Sequence, residues 1–116
     1  MRIKRDKLDI LFGQYILLRD KVCQVCGRAT SLQTAHFIGR RYRSTRYDPD
    51  NACLLCFADH QHFHENPLEF VEFFKARLGQ EGFDFLRGRA RIVYPKPDKK
   101  LIEVYLKEEI KKLTEI

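Results

Sequence analysis

The sequence predicts a small α+β domain in which amphipathic helices flank a cysteine-bracketed hairpin. Three observations predict it. Apolar residues recur at helical spacing near both ends, two Cys-x2-Cys pairs of identical spacing bracket the middle, and two short apolar stretches are joined by a basic, turn-rich segment. With 116 residues there is room for one modest core, so residues 1–116 read as one domain with its centre over 23–79. A composition of 44% hydrophobic and 33% charged residues is globular and argues against disorder. The longest apolar run, Ala52–Ala58, is far short of the roughly 20 residues that span a bilayer, so no membrane partner is expected. The basic start is followed by no continuous apolar stretch, and a cytoplasmic protein without a signal peptide is the expectation.

Taken in order, Leu8, Leu11, Phe12, Tyr15 and Leu18 give one apolar face to a helix over about 5–20, with Gly13 its weak position. Cys23-Gln-Val-Cys26-Gly27 follows as a knuckle, the glycine supplying the backbone freedom to fold two thiolates onto one ion. A strand is expected over Leu32–Phe37. Ile38–Tyr47 then carries Arg40, Arg41, Arg43 and Arg46 and no acid, and Asp48-Pro49-Asp50-Asn51 has turn chemistry ahead of the second apolar run, Ala52–Phe57. The two runs should pair as a hairpin with a long basic loop. Asp59–Glu65 is a candidate helix, and Asn66-Pro67 restarts one, with Asn as cap, Pro at the first helical position and Gly79 as terminator. Leu68, Val71, Phe74 and Leu78 form its expected buried stripe, flanked by Phe70 and Phe73. A short helix over Glu81–Arg89 and an extended connector containing Pro95 and Pro97 lead to a last helix over about 99–114. Its face is Ile102, Tyr105, Leu106, Ile110 and Leu113.

Four cysteines are too few for a disulfide framework, and two matched pairs with 26 residues between them read, in a reducing compartment, as a metal site. Cys23, Cys26, Cys53 and Cys56 would hold a structural zinc in a closed tetrahedron, which contributes folding energy and leaves no position for substrate. Asp59, three residues after Cys56, is the alternative ligand to Cys53, although softness favours the thiolate. A finger built from Cys53, Cys56, His60 and His64 is excluded, because only three residues separate Cys56 from His60 where about 12 are needed.

His60-Gln-His62-Phe-His64 is the second cluster. On a helix His60 and His64 lie four apart on one face and can share an ion, while His62 points elsewhere. The third element is His36, which leads into the arginine loop. The net charge of +6 favours a polyanionic partner, and the four arginines are suited to gripping phosphates without regard to sequence.

The order His36, Asn51, His60 inside the cysteine-bracketed segment, with Ala-His-Phe-Ile-Gly-Arg-Arg around the first and Asp-Pro-Asp-Asn-Ala around the second, resembles the HNH endonucleases. It is most similar to the small stand-alone HNH nucleases that double-stranded DNA phages carry near their packaging genes, and the resemblance covers about Cys23 to Gly79. It implies a ββα-metal core, a hairpin and helix gripping one divalent ion (Mg, Mn or Ni), and hydrolysis of phosphodiester bonds in double-stranded DNA. By the same resemblance His36 would be the general base, Asn51 would hold the loop and orient His36, and His60 would bind the catalytic ion with His64 as a further ligand. The setting implied is phage DNA packaging beside a terminase, in the host cytoplasm. The chain departs from many members at Ala35, where they carry a ligating Asp or His. The competing expectation is a zinc-stabilised DNA-binding or adaptor module without chemistry, in which His60 and His64 are structural.

Overall fold

Asp6 opens the first helix by accepting from the Asp9 amide at 2.8 Å, while the Asp9 carboxylate reaches back to the Asp6 amide at 2.7 Å. This reciprocal cap satisfies two amides that a helix start leaves without partners. The computed structural model describes residues 3–115, which run as α1 (Lys7–Asp20), β1 (Leu32–His36), a 3-10 turn (Pro49–Asn51), β2 (Ala52–Cys56), α2 (Phe57–Glu65), α3 (Pro67–Ala90) and α4 (Lys99–Thr114). The α+β class holds: four helices surround one two-stranded antiparallel hairpin. Among the described residues no helix is long and apolar enough to cross a membrane.

The strands pair from Leu32 opposite Cys56 to His36 opposite Ala52. Side chains alternate across a strand, so β2 feeds two cores at once. Ala52 and Leu54 join Leu8, Phe12, Ile16 and Leu106 on the α1–α4 side, whereas Cys53 and Leu55 join Phe63, Phe74 and Phe83 on the α2–α3 side. The hairpin is therefore a middle layer, and all five β2 residues are buried.

Helix α3 is interrupted at Gly79, whose φ of 76° and ψ of 161° suit glycine alone. The expected pair of helices either side of Gly79 is thus one broken element. The break lets Phe74 and Phe83 both pack on Phe37, with ring centroids 5.0 and 5.4 Å away. Leu68, expected in the buried stripe, is instead 81% exposed. The inward face of α3 is set by Phe70, Phe73 and Phe74, which meet Phe63 and Phe37, and a residue two positions before Phe70 lies about 200° round the axis from it. The α4 stripe is narrower than its sequence pattern: Leu106 is fully buried, Ile102 and Ile110 are partly so, and Tyr105 and Leu113 face outward.

Candidate metal centre and histidine cleft

The turn after α1 carries Cys23 and Cys26. Gly27, at φ 77°, donates to the Cys23 carbonyl at 2.9 Å, and the Gln24 amide donates to the Leu54 carbonyl at 2.9 Å, which fastens the turn to β2. At the far end of β2, Cys56 is the N-cap of α2 and its sulfur accepts from the Asp59 amide at 3.5 Å. Asp59 Oδ2 lies 3.2 Å from both Cys23 Sγ and Cys56 Sγ, and Cys26 Sγ is 3.7 Å from Cys56 Sγ. Ligand atoms of Cys23, Cys26, Cys56 and Asp59 all fall within 4.8 Å of one another, so these four side chains could hold a metal ion such as zinc. Three thiolates and one carboxylate are a donor set that tetrahedral zinc accepts.

Cys53 is not among them, which corrects the four-cysteine set in favour of Asp59. The reason is the strand period. Cys53 lies opposite Ala35 within the ladder, is fully buried in the α2–α3 core, and burial pushes its thiol up to about 12. Residues three apart in a strand face opposite ways, whereas an N-cap and the third residue of a helix are neighbours. The pair that converges is therefore Cys56 and Asp59.

A second feature is a cleft of about 810 Å³ between α1 and the hairpin, lined among others by His36, His60, Gln33, Thr34, Arg40 and Asp9. His36 ends β1 with its Nε2 3.0 Å from the Arg46 carbonyl and its ring 5.5 Å from that of Phe12. A ring nitrogen facing a carbonyl carries the proton, which leaves Nδ1 with its lone pair. Burial holds the imidazole below its ordinary value of 6.5, so it is neutral at pH 7. Asn51, fully buried, accepts from the Ile38 amide at 2.7 Å and donates to the Ile38 and Thr45 carbonyls at 2.8 and 3.0 Å, while its own carbonyl takes the Phe37 amide at 2.9 Å. One amide side chain thus ties together both ends of the long loop that follows His36.

His60 reaches the same cleft from α2 and pairs through Nδ1 at 2.7 Å with Gln33 Oε1, a partner that the sequence did not single out. An amide oxygen only accepts, so Nδ1 carries the proton and Nε2 is left for an ion. Fixing one imidazole nitrogen in this way is the usual support for a ligating histidine. His64 follows one turn on, exposed and outside the cleft lining, and burial, followed by the proximity of His64, lowers the His60 pKa. His62 is tied to the α2–α3 junction, with Nε2 3.1 Å from Glu69 and Nδ1 3.4 Å from Asn66. Among the described residues, no second group of three ligating side chains closes as tightly as the cysteine centre.

The arginine loop divides. Arg46 donates to Asp9 through Nε at 3.0 Å and through Nη2, and Arg40 lies 3.6 Å from the same carboxylate and bonds the Ile3 carbonyl at 2.8 Å. Asp9 is buried, and a buried carboxylate needs partners of this kind. Both side chains are therefore spent on fastening the loop to α1, a role different from the phosphate grip expected of them. Arg41 stacks on Tyr42 at 4.9 Å, and neither Arg41 nor Arg43 makes an ion pair among the described residues.

Comparisons with protein-family models, curated proteins and solved structures return no match to this chain.

Proposed function

We propose that the chain is a metal-dependent endonuclease of the HNH type that hydrolyses phosphodiester bonds in double-stranded DNA. The observation that carries this reading is the meeting of His36 and His60, from different elements, on one cleft beside a loop pinned by Asn51. The hairpin followed directly by α2 is the arrangement that a ββα-metal core requires.

In this reading His36 Nδ1 takes a proton from the attacking water, and its Nε2–H stays on the Arg46 carbonyl so that the ring cannot turn. Asn51 holds Ile38 and Thr45, the latter next to Arg46 in the chain, without itself titrating. His60 Nε2, with His64 and water, would hold a divalent ion such as Mg, Mn or Ni, whose contribution when bound is positive charge against the phosphate and the leaving oxygen. Cys23, Cys26, Cys56 and Asp59 would hold the structural zinc. Phage DNA packaging is the setting that the motif resemblance favours.

The direct test is conversion of supercoiled plasmid to nicked and linear forms across divalent ions. Bound but uncut plasmid under every ion would instead identify a zinc-stabilised binding module. Within the enzyme reading the three α2 histidines separate. His60→Ala should lose activity almost completely, and His64→Ala should lower it in a way that excess metal partly restores. His62→Ala should cut at close to the wild-type rate, since its bonds end on Glu69 and Asn66; an essential His62 beside a dispensable His64 would overturn this assignment.

Zinc content tests the other centre. Cys53→Ala should retain one zinc per chain at a stability cost of about 1 kcal/mol for the small cavity, whereas Cys56→Ala and Asp59→Ala should each lose it. Zinc lost from Cys53→Ala and kept by Asp59→Ala would restore the four-cysteine set.

A further inference from the structure

A second cavity, of about 300 Å³, opens between the arginine loop and the connector that leads into α4, and its lining is Arg43, Arg46, Tyr47, Lys96, Pro97 and Lys99. We propose that it seats backbone phosphates of duplex DNA outside the cleft, with Arg43 and Lys96 as the contacts; this rests on the nuclease reading and names a further part of its substrate surface.

Four cations line the cavity, and two carboxylates answer them from its edge. Asp9 takes Arg46, and Asp6 takes Lys99 at 3.4 Å and the Tyr47 hydroxyl. Arg43 and Lys96 have no carboxylate within ion-pair distance among the described residues, so two positive charges stand unanswered in one concavity drawn from two chain segments. That is the charge of two backbone phosphates. The lining is also wrong for an apolar ligand, since only the Tyr47 ring and Pro97 are without formal charge.

Position supports the same conclusion. Arg46 lines this cavity while its partner Asp9 lines the cleft that holds His36 and His60. The two cavities lie on either side of one ion pair, so a duplex engaged at the cleft meets the second cavity through its flanking backbone. Contacts of that kind set affinity and orientation and carry no sequence information.

The test is fluorescence anisotropy of a short labelled duplex against salt, without added divalent ion, for wild type, for Arg43→Gln with Lys96→Gln, and for Arg28→Gln with Lys111→Gln. The last two residues are exposed cations that line neither cavity. Each phosphate contact contributes about 0.9 to the slope of log K against log salt, so the first double variant should flatten it by about 2 for any duplex sequence. The second should leave the slope near wild type. Equal slopes for both variants, with wild type binding and cutting DNA, would overturn the cavity assignment and leave the nuclease reading intact. Wild type that binds no duplex would take both down. Calorimetric binding of inorganic phosphate that disappears in the Arg43/Lys96 variant, with no change in the duplex slope, would make the cavity a small-anion site and overturn the duplex assignment.

Discussion

Replacing His36 with alanine is expected to lower plasmid cleavage about 10²–10⁴-fold, the range a positioned general base contributes, while folding and duplex affinity stay near wild type. His36 is half-buried against Phe12 and its only polar bond among the described residues is to a loop carbonyl, so its removal should change the chemical step far more than the scaffold. Nicking rate, thermal melting and anisotropy read the three quantities separately. Wild-type turnover in the variant would end the mechanism. The same residue sets the pH dependence. Burial disfavours its charged form, the base works only when neutral, and activity is therefore lost on acidification with a midpoint below 6.5. An acid limb centred above that value would place the essential base elsewhere.

Stripping the ion from the cysteine centre is expected to cost the fold as well as the activity. The centre joins the turn after α1, the end of β2 and the start of α2. Structural zinc binds zinc-finger peptides with about 10–16 kcal/mol at neutral pH, against the 5–15 kcal/mol that is the net stability of a whole domain. A strong chelator, or Cys23→Ser, should therefore give a chain that melts far below the wild type. A mild chelator should act differently. Two imidazoles and water hold Mg or Mn weakly, so cutting should stop while the melting curve is unchanged. Melting and activity lost together at one chelator concentration would mean that a single ion serves both purposes.

What the sequence discloses here follows the range of the interactions. Periodic features were legible: both terminal helices, the hairpin pair and the break at Gly79 lie within a few residues of their expected places, because each depends on neighbours along the chain. The cysteine centre was legible in Cys23, Cys26 and Cys56, with Asp59 as the alternative to Cys53. Softness favoured Cys53, and the local signal for Asp59 was of another kind: Cys56 and Asp59 stand as cap and third residue of a helix, a relation that brings two side chains together whatever their chemistry. The fate of Arg40 and Arg46 was not legible. Their partner Asp9 sits on α1, more than thirty residues away, and nothing in a run of arginines tells which of them a distant buried carboxylate will claim. Gln33 was hidden for the same reason, since its value arises only when β1 is laid beside α2.

Strand β2 has one more consequence. Ala52 and Leu54 belong to one cluster and Cys53, Leu55 and Cys56 to the other, yet its backbone is a single ladder with β1, and two strands alone are not independently stable in water. Neither cluster can open without removing the wall of the other. The protein is thus built as one cooperative unit despite having two apolar centres, so disorder that begins around Leu106 should be transmitted through five residues to the cysteine centre, and the slowest amide exchange is expected in Ala52–Cys56.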